Sequence, residues 1–182
     1  MKLTRMLTAM LLIAAVAASP AVGKDILPDA ESVKGENRAF IRADGLACYF
    51  CAYGLERFFR KSGKVAAYDM NMEKGIVEVR FIKGRRLLTE KELHQIVYDA
   101  GYTPRGTEYE LVGKIVKTGA GYAFHLRDTG QELPLKPGGK LESNAEKMTG
   151  KTVRIKAKTD LLNKTMRLEP LEFEVVGEKT ER

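Results

Sequence analysis

The feature that most limits the fold of this chain is a switching of hydrophobic period between residues 38 and 103. Ala39-Phe40-Ile41-Arg42-Ala43 reads as a short strand, and Gly45 breaks it. From about residue 48 to residue 62, Cys51, Leu55, Phe58 and Phe59 recur at helical spacing, and Gly63 ends the run. Tyr68, Met70 and Met72 then alternate along one strand, and Val77, Val79 and Phe81 along the next, with Glu73-Lys74-Gly75 as the hairpin turn. Alternation already accounts for both methionines as core residues, so they need no metal role. Thr89-Glu90-Lys91-Glu92 is a capping box. It opens a second helix with an apolar stripe of Leu93, Ile96, Val97 and Ala100, stopped at Gly101. Tyr102 and Thr103 start a short last strand. Strand, helix, strand, strand, helix, strand is the order of a split βαβ sandwich, with two helices on one face of a four-stranded antiparallel sheet.

After this the text changes. Residues 103–108 (TPRGTE) read as a linker, and short strands with tight turns follow at 111–117, 122–127 and 132–135. Residues 143–148 suit a short helix, 152–158 alternate cleanly, and a last strand or pair covers 166–176. About five strands with a helical interruption after the third predict a small all-β barrel of the OB type. The fold class expected is therefore α+β, a ferredoxin-like βαββαβ sandwich at 38–105 followed by an OB-like β-barrel at 109–177. Nothing in the second part selects a ligand. Residues 107–182 hold 14 Lys and Arg against 12 Asp and Glu, and no acid pair, nucleophile–base pair or phosphate loop appears there. A partner-binding or spacer module is the modest expectation.

The start of the chain sets the compartment. Lys2 and Arg5 precede an uncharged apolar run at residues 6–18, and small residues follow, with cleavage sites at Val16-Ala17-Ala18 and Ser19-Pro20-Ala21. This is the layout of a secretory signal peptide, taken as residues 1–21. The run falls short of the roughly 20 apolar residues a spanning helix needs, and no later run reaches that length. The expectation is a periplasmic protein with no membrane insertion after cleavage, and with residues 22–37 as a polar linker. The formal net charge of +7 includes Lys2, Arg5 and Lys24, so the excess on the exported part is modest. No arginine-rich run or interleaved basic–aromatic patch points to nucleic acid.

Export changes what the two cysteines of the chain, Cys48 and Cys51, mean. Exported domains that depend on disulfides usually carry four or more cysteines, and a pair two residues apart closes too small a loop to staple a fold. The pair therefore asks for a chemical role. A loop leading into a helix lowers thiol pKa values, because unpaired N–H groups and the helix dipole favour negative charge. Two thiolates at this spacing suit soft ions accepting two or three sulfurs, whereas tetrahedral zinc wants four ligands and no second pair exists. The two histidines, His94 on the second helix and His125 on a barrel strand, read as ordinary surface or partly packed residues. Two other readings stay open: a redox pair with Cys48 as nucleophile and Cys51 as resolving thiol, and an inert oxidised pair in a contact domain. The redox reading lacks a Trp before Cys48, and its expected strand order differs.

Set between a strand and a helix, Gly45-Leu46-Ala47-Cys48-Tyr49-Phe50-Cys51 resembles the metal loop of the heavy-metal-associated domain family. The resemblance extends through residues 65–75 and the closing Asp99-Ala100-Gly101-Tyr102, and spans residues 38–105. It implies that Cys48 and Cys51 are the metal ligands, that Leu46 packs under the loop, and that Tyr102 approaches it from the final loop. Tyrosine there is similar to the periplasmic mercury-binding branch. Leu46 stands where the family usually has methionine, and Tyr49 and Phe50 stand where it has small residues. They would shield the metal or face a partner. The function expected is capture and hand-over of Cu(I) or Hg(II), without catalysis, to or from a metal-donating or metal-accepting protein such as a membrane transporter. Lys61, Lys64, Arg85 and Arg86 are candidate docking cations.

Overall fold

The computed structural model describes residues 34–46, 49–138, 140–162 and 165–176. The architecture is mixed α/β, dominated by antiparallel sheet. In chain order it runs β1 (Lys34–Asp44), α1 (Tyr49–Lys61), β2 (Val65–Asn71), β3 (Ile76–Ile82), α2 (Glu90–Asp99) and β4 (Thr103–Thr118). It continues with β5 (Gly121–Leu126), β6 (Glu132–Pro134), α3 (Lys140–Met148), β7 (Thr152–Leu162) and β8 (Thr165–Val175). The strands lie in the order β2-β3-β1-β4-β5-β6, and β7 joins the other edge of β4 and carries β8. The expected signal peptide lies outside the described residues. Among those described, no helix is long and apolar enough to cross a membrane.

Alternation builds the first half. Ala39, Ile41 and Ala43 of β1 and Val77, Val79 and Phe81 of β3 are buried on one face, where α1 contributes Leu55 and Phe59 and α2 contributes Leu93 and Val97. The Thr89 side chain caps α2 by accepting from the Glu92 N–H, and the Glu92 carboxylate accepts from the Thr89 N–H. Burial pushes the Glu92 carboxyl up. The Thr89 hydrogen bonds and Lys64 outweigh this and hold it below its ordinary value. Two expected core positions differ. Phe58 is 39% exposed, because Leu55 and Phe59 already fill the inward face of α1. Met72 falls in the turn after β2, which ends at Asn71.

The opposite face of the sheet carries a row of alternating charges across five strands. Arg38 on β1 bridges Glu78 on β3 at 3.1 Å and Glu110 on β4 at 2.9 Å. Arg154 on β7 then meets Glu110 at 3.3 Å and Glu174 on β8 at 3.4 Å. Exposed pairs contribute only about 0–1 kcal/mol singly, but a shared network fixes register against slippage.

Residues 103–108, expected as a linker, are the first part of β4, and residues 34–37, expected as leader, begin β1. β4 pairs with β1 up to Glu110, with β7 from Glu108 to Lys114, and with β5 from Gly113 onward. Gly113 is required where these pairings meet, since a Cβ there would lie 2.2 Å from the His125 carbonyl oxygen. Tyr109, at 0% exposure, stacks on Phe81 with ring centroids 6.5 Å apart and donates its hydroxyl to the Leu88 carbonyl at 2.9 Å. Beyond it, Leu111, Ile115, Phe124, Leu126, Ile155 and Leu168 extend the same core. An isolated parallel bridge, Leu135 with Leu168, brings the end of β6 to β8.

Candidate functional site

The cysteine segment sits where β1 gives way to α1. Gly45 takes φ +91°, a left-handed turn that costs other residues about 1–2 kcal/mol, and Leu46 is buried directly after it. Leu46 joins the buried core cluster at this point. Cys48 lies outside the described residues. Cys51 is in the first turn of α1, among residues 49–52 whose backbone is helical, and that turn contains no acidic side chain. The unpaired N–H groups of a helix's first turn favour negative charge, and no carboxylate of this turn opposes them. The basic residues Arg60 and Lys61 stand in the last turn, the complementary end of the dipole.

Three segments converge on this end of the sheet. Asp44 pairs with Thr103, and the Ala43 N–H donates to the Gly75 carbonyl at 2.9 Å. These contacts bring the β2–β3 turn and the α2–β4 loop beside the β1–α1 loop. Tyr102, in that last loop, is buried and closes on Gly45: its Cδ1 stands 3.6 Å from where a Cβ would be. Burial raises its phenol above the ordinary value, so the hydroxyl is neutral across the physiological range.

Half-buried Tyr68 packs against Phe59 with ring centroids 5.9 Å apart and donates its hydroxyl to the Met70 sulfur at 3.5 Å. Burial chiefly, together with nearby Tyr102, Glu56 and Asp69, raises the Tyr68 phenol. Tyr68 and Met70 were legible as strand alternation. Their hydroxyl–thioether contact was not, because it depends on rotamers set by α1.

The expected docking cations divide. Lys64 and Arg86 both meet the Glu92 carboxylate, at 3.2 and 3.1 Å, and so belong to the α2 cap. Exposed Tyr53, at 77%, stands with Arg57 on the outer side of α1. His94 lies within hydrogen-bond distance of Thr107 Oγ1, at 3.1 Å, and 3.6 Å from Glu90. His125 alternates with buried Phe124 and Leu126 on β5. Neither histidine falls in a cluster of three or more metal-ligating side chains among the described residues.

No family model matches the chain, and no curated protein matches it. Among solved structures, a chain described as "Crosstalk between Cu(I) and Zn(II) homeostasis" is similar at 25% identity. That match covers 37% of this chain and 94% of the other, with a TM-score of 0.34.

Proposed function

We propose that this chain is an exported carrier of soft metal ions, in which the thiolates of Cys48 and Cys51 capture Cu(I) or Hg(II) and pass it on. The observation that carries the reading is the entry to α1: a Gly45 turn, a buried Leu46, and a first turn free of carboxylates that holds Cys51. In this reading β1–β3, the first part of β4 and the two helices form the heavy-metal-associated sandwich. The rest of β4 with β5–β8 and α3 forms an OB-like barrel. The strand order β2-β3-β1-β4 and the Leu135–Leu168 bridge support that division of roles.

The paired thiolates hold the ion with few ligands. A partner's thiolate attacks it, a shared three-coordinate state forms, and one thiolate of this chain leaves as the next bond is made, so no free ion is released. Buried Tyr102 walls the loop on one side and keeps a neutral hydroxyl there. The protein performs no bond-making on an organic substrate. It works in the periplasm, with the barrel serving as contact or spacer module for a metal-donating or metal-accepting partner such as a membrane transporter.

The test is a titration of the reduced chain, without oxygen, with Cu(I) and Hg(II) against competing chelators, following thiolate–metal absorption. One ion per chain, lost in Cys48→Ser/Cys51→Ser, is the expected result. Absence of specific binding by either ion overturns the reading.

A further inference from the structure

β1 pairs with β4 all the way from Thr103, whereas β7 joins the other edge of β4 only from Glu108. Past Lys158, β7 runs on to Leu162 paired with β8 alone. Two strand edges therefore part at the Glu108–Lys158 pair. Along residues 103–107 the outer edge of β4 has no strand partner among the described residues, and apart from the N–H that Pro104 lacks, such an edge has backbone groups to offer an incoming strand. The fork opens onto a cavity of about 510 Å³, lined by Phe40, Arg42, Ile76, Gly106, Lys158 and Thr159 among others. That volume lies in the range of ligand pockets.

The charges around this cavity are nearly all spoken for. Asp44 holds Arg105 at 2.6 Å, and Glu108 takes Lys156 at 3.3 Å and Lys158 at 3.9 Å. Glu90 accepts from the Thr159 hydroxyl and has His94 at 3.6 Å. Arg42 is exposed and has no hydrogen-bond or ion-pair partner among the described residues. It stands directly across from Gly106 in the β1–β4 register. A Cβ at Gly106 would meet nothing within 4 Å, and its backbone is not left-handed. Neither packing nor strain requires glycine there. What its missing side chain does is leave open the floor beneath Arg42.

We propose that this fork binds an extended peptide segment of a partner protein, added as a strand to the free edge of β4. Its carboxylate is held by Arg42, on the strand next to β4. Main-chain bonds supply the affinity, as in other strand additions, and the uncompensated guanidinium supplies the selectivity. The test is read on the metal-free chain, so it does not depend on metal binding.

The experiment titrates the ¹⁵N-labelled full chain with acetyl-Val-Thr-Val-Glu-Val-amide and with the same peptide carrying Gln for Glu. The expected result is one saturable site moving the amides of residues 105–107 and 159–161. The Gln peptide binds about tenfold more weakly, the scale of one charge-assisted hydrogen bond. Arg42→Gln, an exposed change that leaves the fold intact, removes the difference between the two peptides. Gly106→Leu fills the floor and abolishes binding, with unchanged Leu93 and Phe124 amides showing that it still folds. No saturable shift at millimolar peptide overturns the proposal. Butyrate reproducing the same shifts at the same affinity also overturns it, in favour of a small-carboxylate pocket. So does a shift of the same amides on deleting residues 177–182 without peptide, in favour of the chain's own tail.

Discussion

Asn37 and Asp128, 91 positions apart, are joined by a 2.8 Å hydrogen bond from the amide Nδ2 to the carboxylate. The other end of the same amide accepts the Val112 N–H at 2.9 Å. One side chain at 1% exposure thus ties β1, the middle of β4 and the β5–β6 turn together. Burial raises the Asp128 carboxyl, and the Asn37 amide works against that rise.

Asn37→Ala strips partners from a buried N–H and a half-buried carboxylate, each worth about 1–3 kcal/mol when left unsatisfied. The expected loss is about 3 kcal/mol of unfolding free energy. Urea unfolding followed by helix circular dichroism and by tyrosine fluorescence checks it. Both probes should shift together, since the amide braces both halves.

A fragment ending at Arg105 should fail to fold. It lacks Tyr109, whose ring stacks on Phe81 and whose hydroxyl holds the Leu88 carbonyl, and it cuts β4 before its pairing with β1 is complete. A fragment with dispersed amide resonances and a cooperative melt would show that the first half stands without these contacts.

Gly45→Ala should cost about 1–2 kcal/mol, since φ +91° disfavours any Cβ while the nearest neighbour, Tyr102 Cδ1 at 3.6 Å, is only in ordinary contact. The penalty is conformational rather than steric, so Tyr102→Leu should not relieve it. Thermal melts of the single and double variants separate the two causes. On the proposed function, Gly45→Ala also weakens Cu(I) retention in chelator competition.

Tyr68, Tyr102 and Tyr109 all have phenol pKa values raised, chiefly by burial. A raised folded-state pKa means the native state holds the proton more tightly than the unfolded chain does. The associated stability is fully present below the unfolded value of about 10 and is lost as pH rises beyond it. Urea midpoints should therefore be unaffected by these groups at pH 8 and should fall above about pH 10. Tyrosinate absorbance should show a slow, unfolding-limited component, which Tyr109→Phe diminishes.

Glu92→Ala removes half of the α2 capping box and the shared partner of Lys64 and Arg86. A loss of about 1 kcal/mol is expected, mostly from the cap, because the ion pairs are solvent-screened. Its folded pKa is depressed, so this contribution is present above about pH 4.3 and fades as pH falls. Wild type and variant should converge in stability toward pH 3.

What the sequence determined by itself was local. The 3.6 and 2.0 periods, the Thr89 capping box and the glycine stops depend on neighbours a few residues away, and all reappear as α1, α2, β2 and β3 close to their expected limits. The run from Gly45 to Cys51 likewise marked its own turn and helix start. Tertiary structure alone decided the fate of residues 103–108. Pro104 and Gly106 carry a linker's composition, yet Pro104 pairs with Ala43 at a register shift, where a strand tolerates a missing N–H. The segment is a strand because β1 lies along one edge of it, and it continues because β7 and β5 take over beyond. The same pairing created the fork around Arg42 and Gly106, which no spacing in the sequence announces, since its walls come from β1, β3, β4, β7 and the start of α2. Short-range pattern specifies elements, and an edge or a gap between strands exists only once distant segments have been placed side by side.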